Sequence, residues 1–144
     1  MRFSLGYVSE EEEILILSEQ RAAHPLDQLR AIADEPAVSS LRAAVRETRI
    51  SDEIKRYIVS LVSATRSAPG IAMGASPRAS ITLMKSAQAL ALYDGAEFVS
   101  PDHVYELAAP VIAHRLVLDS QARFSGLTAE SALEELMKTV PAPR

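Results

Sequence analysis

Gly74-Ala75-Ser76-Pro77-Arg78-Ala79 is the stretch around which the rest of this chain falls into place. It marks the start of a helix in three ways. Ser76 is suited to the N-cap, Pro77 fits the first helical position because its missing N–H has no intrahelical partner there, and Arg78 follows in the first turn. Gly74 permits the turn that leads in. An arginine in a first turn works against the helix dipole, which favours an anionic side chain or an anionic ligand. Arg78 therefore either runs out to solvent or pairs with an acid, or it reaches a phosphate that the same helix end attracts.

Working outward, the helix that begins at Pro77 is predicted to run to about Tyr93. Ile81, Met84, Ala87, Leu90 and Ala91 form its apolar side with Leu83 nearby, and Lys85 and Gln88 are exposed. Residues 67–75 form the loop that delivers Arg78. Before it, a helix starts after Ser51 with Asp52 and Glu53 in its first turn. Ile54, Tyr57, Ile58, Leu61 and Val62 recur at spacings of three and four, a core stripe in which Tyr57 packs. Thr65-Arg66 closes that helix, with Arg66 complementing its C-terminal dipole.

Downstream, Asp94-Gly95 ends the helix of Arg78, and Phe98-Val99 makes a brief extended piece to which Leu116-Val117-Leu118 could add an edge. Ser100-Pro101 starts a helix with Val104, Leu107 and Ala108 inward, and Pro110 ends or kinks it. Thr128 caps a final helix through Lys138, built on Leu133, Leu136 and Met137, ahead of a tail over 141–144.

At the other end, Phe3, Leu5 and Tyr7 alternate with Ser4 and Gly6, predicting a short strand over 3–8 whose sheet partners are not in this sequence. Ser9 caps a helix that carries Ile14, Leu15 and Leu17 to about Arg21. Pro25 to Pro36, with Leu26, Leu29 and Ile32, reads as an ordered, packed connector. A further helix spans Val38 to Glu47.

Composition agrees with a mainly α fold. Aliphatic and other apolar residues make up 48% of the chain and aromatics only 5%, which suits closely packed helices rather than an aromatic-rich sheet. A formal charge of −4 argues against nucleic acid as the main partner, which would need Arg42, Arg46, Arg66 and Arg78 to converge. The chain has no cysteine, no secretory leader pattern and no run long enough to span a bilayer, so a cytoplasmic setting without membrane insertion is expected. His114 lacks a His-x-x-x-His or cysteine companion, so it reads as a structural or interface histidine and no metal site is expected.

These residues also carry a family resemblance. Gly74 to Ala79 resembles the second-sensor motif of the MoxR group of AAA+ ATPases. Ser4-Leu5-Gly6-Tyr7 with Glu10-Glu11-Glu12-Glu13, Ala64-Thr65-Arg66 and Ala113-His114-Arg115-Leu116 match in order and at similar spacing. The resemblance covers nearly the whole chain. It implies that residues 1–50 are a remnant and connector from the end of a nucleotide-binding α/β domain. Residues 51–140 would then be a small helical bundle of the AAA+ lid type, and the chain the C-terminal part of a longer enzyme. It further implies that Arg78 is the second-sensor arginine, contacting the terminal phosphates of ATP, with Gly74, Ser76 and Pro77 shaping that cofactor site. The resemblance places the arginine finger upstream of Met1, so Arg2 is not assigned that role. ATP and Mg belong, on this resemblance, to the full-length protein. So do a ring oligomer, the absent α/β core as partner, and a client protein acted on by chaperone-like remodelling or assembly.

Hydrolysis needs a glycine-rich run ending in Lys-Ser or Lys-Thr and acids that hold magnesium. The chain has five glycines and no Gly-Lys-Ser or Gly-Lys-Thr. Glu10 to Glu13 follow no apolar strand and read as a solvated first helical turn. Alone, the chain is expected neither to hydrolyse ATP nor to bind it tightly. The rival reading is a freestanding helical interaction module whose Arg78 meets an acidic partner without nucleotide.

Overall fold

Side-chain oxygens set where most of the helices begin. In the computed structural model, which describes residues 1–20 and 24–143, Ser9, Ser51, Ser100, Asp119 and Thr128 each accept a hydrogen bond from the backbone N–H three residues on. They start α1 (Glu10–Glu19), α3 (Asp52–Ala64), α5 (Pro101–Ile112), α6 (Ser120–Phe124) and α7 (Ala129–Thr139). With α2 (Glu35–Glu47) and α4 (Pro77–Tyr93) these make seven α-helices among the described residues, accompanied by two short strands, β1 (Ile71–Met73) and β2 (Val117–Leu118). The architecture is the mainly helical bundle expected from the sequence.

The chain divides into two units, one of residues 3–41 and one of residues 1–2 with 42–144. In the smaller unit, α1 begins with a capping box. Ser9 N–H donates to Glu12 Oε2 at 2.7 Å while Glu12 N–H donates to Ser9 Oγ at 3.3 Å. The bond from Ser9 N–H first, and then the Ser9 hydroxyl beside the carboxylate, hold the Glu12 carboxyl below its ordinary pKa. Glu10 to Glu13 all fall in that first turn, where the helix dipole favours them. The strand predicted over 3–8 is not formed, since none of the described residues pairs with it. The predicted packed connector is instead a short 3-10 turn, Pro25–Gln28, with Leu26, Leu29 and Ile32 all exposed. The helix end expected near Arg21 and the last residue of the tail, Arg144, lie outside the described residues.

The larger unit holds the core. Ile54, Tyr57, Ile58, Leu61 and Val62 are buried on α3, the five residues that the spacing marks. On α4 the inner row is Ala79, Leu83, Ala87 and Ala91, four apart and fully buried. The larger Ile81 is 52% exposed, and Met84 and Leu90 only line the margin. Leu83, Ala87 and Ala91 are buried as expected, but the face is turned away from Ile81 toward Ala79: alanines repeating at four residues make the shallow ridge that lets α5 pack closely against α4. α5 contributes Val104, Leu107, Ala108, Val111 and Ile112, and α7 contributes Leu133, Leu136 and Met137.

Four local expectations are corrected. Gln88 is buried rather than exposed, because its Nε2 donates at 2.8 Å to the Thr48 carbonyl at the end of α2, which has no helical partner. Of the two outcomes expected at Pro110, an end or a kink, the first does not occur: α5 runs through it to Ile112, held by the buried residues on either side. The loop expected over 67–75 contains β1, which pairs antiparallel with β2 in the register Ile71↔Leu118 and Met73↔Val117. The predicted partner of 116–118, Phe98-Val99, meets Arg49 instead, Val99 N–H donating to the Arg49 carbonyl at 2.9 Å. At the end of α4, Gly95 (φ +70°) lets Gly95 N–H reach Leu92 O and Ala96 N–H reach Ala91 O. This closes the helix in a Schellman motif.

Candidate functional site

The α4 N-terminus is built by the end of α3. Thr65, the C-cap of α3, is fully buried, and its Oγ1 donates to Val62 O at 2.6 Å while accepting from Ala75 N–H at 2.9 Å. Arg66 Nε donates to the Ala75 carbonyl at 3.0 Å. Both polar groups of Ala75 are thus held by two consecutive residues of another element, one position before the N-cap.

Gly74 belongs to the same clamp, for a reason other than the turn assigned to it from the sequence. Its φ is not positive. A Cβ there would stand 2.6 Å from the Thr65 carbonyl carbon and oxygen and 2.7 Å from Arg66 Cα, so only glycine lets the two backbones come this close.

Ser76 takes the N-cap conformation (φ −82°, ψ 167°), and Pro77 follows at N1. The Ser76 hydroxyl makes no capping bond, however; Ala79 N–H is turned to the Ser76 carbonyl at 2.8 Å instead. The Arg78 carbonyl accepts from Thr82 Oγ1 at 2.8 Å, but the Arg78 guanidinium is exposed and makes no hydrogen bond or ion pair among the described residues. Of the two intramolecular readings left open by the sequence, the structure shows extension into solvent. A helix start with an unspent hydroxyl, an unspent first-turn N–H and an outward guanidinium is suited to an anion. The Ser76 hydroxyl has no base hydrogen-bonded to it among the described residues.

The remaining candidates lie elsewhere. His114 is exposed in the 3-10 turn Ala113–Arg115; partial desolvation, and then the Arg115 guanidinium, lower its pKa. His103 is a structural pin: its Nδ1 accepts from Ser100 N–H at 3.0 Å, and its Nε2 lies 3.3 Å from Asp94 Oδ2, joining the end of α4 to the start of α5. Among the described residues no group of three or more His, Cys, Asp or Glu is placed to hold a metal ion. A groove of about 960 Å³, lined in part by Thr48, Ile50, Gln88, Phe98 and Val99, does not include Arg78 or its clamp.

Sequence reasoning placed Ser76, Pro77 and Arg78 correctly along the helix and missed Thr65 and Arg66 as parts of the site. A threonine in a last turn signals only a C-cap, and its bond to a residue ten positions on has no local pattern.

The AAA lid domain, as a described family, matches residues 63–136, about half of the chain and the part that runs from the end of α3 into α7. The chain belongs to the AAA lid domain family. This lid-type domain is related to the MoxR family of AAA+ ATPases. It is 30% identical over 152 residues to the protein called Chaperone MoxR1 from Mycobacterium tuberculosis, covering 99% of this chain and 40% of that protein. It is 39% identical over 142 residues to the uncharacterized protein YeaC of Bacillus subtilis, covering 99% of this chain and 44% of that one. In three dimensions it is similar to a putative ATPase from Cytophaga hutchinsonii, with a TM-score of 0.85 at 27% identity, covering 97% of this chain and 45% of that one. The lid chain therefore spans less than half the length of each of these three relatives.

Proposed function

We propose that this chain is the nucleotide-sensing lid of a MoxR-like AAA+ ATPase, with Arg78 as the residue that contacts the terminal phosphates of ATP. The observation that carries the reading is the state of Arg78. It is exposed and unpaired among the described residues, and it stands on a helix start that a fixed clamp orients. A guanidinium left free there, beside the positive end of α4, is suited to a multiply charged phosphate. Ser76 and Pro77 shape the approach, and Gly74 lets the clamp close.

The same reading assigns the rest of the chemistry to an α/β core. Phosphate cradling, magnesium and activation of water require residues that this sequence does not contain, so ATP and Mg are ligands of the intact protein. When phosphate is present, Arg78 draws the lid toward the core, and the change in angle passes to a ring interface and to a client protein. The work performed is chaperone-like remodelling or assembly in the cytoplasm. The names of the relatives, Chaperone MoxR1 and putative ATPase, support this direction.

The test is Arg78→Ala in the intact protein. ATP turnover is expected to fall on the order of a hundred- to a thousandfold, the loss typical of one charge-stabilising donor. Circular dichroism should show unchanged helicity, because Arg78 is exposed. Unchanged turnover in a folded variant would remove Arg78 from the site and favour the nucleotide-independent interaction module.

A further inference from the structure

We infer that Thr65 and Arg66 are positioning residues for Arg78, an inference that rests on the phosphate-sensing reading above. Helix α4 is oriented by its first residues, and the residue before its N-cap, Ala75, is immobilised at both ends of its polar backbone. Thr65 Oγ1 accepts from its N–H at 2.9 Å, and Arg66 Nε donates to its carbonyl at 3.0 Å. Thr65 is itself anchored, donating to Val62 O at 2.6 Å from a fully buried position at the end of α3. Gly74 seats the two backbones in contact. Only Ser76 and Pro77 separate Ala75 from Arg78, too few for slack to develop between clamp and guanidinium.

The arrangement does more than cap helices. The N–H of Ala75 lies outside α4, so its bond to Thr65 Oγ1 satisfies no group that the start of α4 leaves unpaired. Spending a buried hydroxyl and an arginine Nε on the two peptide units that flank one residue fixes a direction rather than a helix boundary. Because α3 and α4 then move as one body, a force applied to Arg78 is delivered to α3 without loss in the connecting loop. Without the clamp, Arg78 would remain present but imprecisely aimed, and an error of about 1 Å in a group that stabilises charge costs on the order of a hundredfold.

Thr65→Val in the intact protein removes the hydroxyl at nearly constant shape, and Arg66→Ala removes the second arm from an exposed position. Each is expected to lower kcat/KM for ATP roughly ten- to a hundredfold. Thr65→Ser, which keeps the hydroxyl, should restore most of it. The decisive readout is coupling: in an Arg78→Ala background, Thr65→Val and Arg66→Ala should each change turnover by less than about twofold, since their effect passes through the missing guanidinium. If Arg78→Ala lowers turnover while both clamp variants are silent, or if they lower it equally with and without Arg78, the positioning inference is overturned. If Arg78→Ala is itself silent, the phosphate-sensing reading fails instead. Arg66→Ala keeps the inference testable should Thr65→Val fail to fold.

Discussion

Gly74→Ala should be among the most damaging single-methyl additions in the chain. The new Cβ would lie 2.6 Å from the carbonyl carbon and oxygen of Thr65 and 2.7 Å from Arg66 Cα. All three are backbone atoms, so no side chain can swing aside, and the end of α3 must separate from the approach to α4. Overpacking of this kind costs about 1–3 kcal/mol. Separation also strains the Thr65 and Arg66 bonds to Ala75, each worth about 1 kcal/mol net. Alanine returns roughly 0.4–1 kcal/mol by restricting the unfolded chain. The balance is a loss of about 2–4 kcal/mol. For a domain of this kind that lowers Tm by roughly 10–25 °C. Urea unfolding followed by circular dichroism measures it, and hydrogen exchange at the Ala75 amide should accelerate in parallel. Gly95→Ala is the control: its φ is +70° with open space around the new Cβ. It should cost about 1–2 kcal/mol through backbone strain alone and leave exchange at Ala75 unchanged. A Gly74→Ala protein within about 0.5 kcal/mol of the parent would refute the clamp as described.

Three further outcomes follow from the core. Gln88→Ala should lose about 1–2 kcal/mol by urea titration, because the Thr48 carbonyl loses its 2.8 Å donor in a mostly buried position. Leu83→Ala, at a fully buried site between α4 and its neighbours, should cost about 2–5 kcal/mol in the same assay. Tyr57 has a raised pKa, from burial first and then from Tyr105 and Asp102. The unfolded chain ionises this phenol first, so stability should fall as pH rises above about 10. Tyr57→Phe should flatten that part of a stability profile measured from pH 9 to 11.

What could be read from the sequence was whatever is encoded locally. The α3 stripe from Ile54 to Val62 and the caps at Ser9, Ser51, Ser100 and Thr128 emerged in place, because spacing and capping chemistry act over a few residues. The inner face of α4 emerged only in part. Leu83, Ala87 and Ala91 were expected and are buried, but the orientation depends on how closely α5 approaches, and ranking residues by size put Ile81 inward in place of Ala79. Gln88 and the pairing of β1 with β2 were hidden for a related reason, since each rests on a partner about forty residues away. At the site, Ser76-Pro77-Arg78 was legible as a helix start, whereas the part of Thr65 and Arg66 in it depends on the fold of the intervening residues. The role given to Gly74 changed from turn former to point of backbone contact.

The central claim is that Arg78 couples phosphate to the position of the lid. It is tested most directly by placing one fluorophore on an exposed position of α7, such as Lys138, and another on the α/β core of the intact protein. Energy transfer is then measured with and without a non-hydrolysable ATP analogue and Mg. The account predicts a nucleotide-dependent change in the parent that Arg78→Ala abolishes while helicity is unchanged. The same change in both proteins would contradict it.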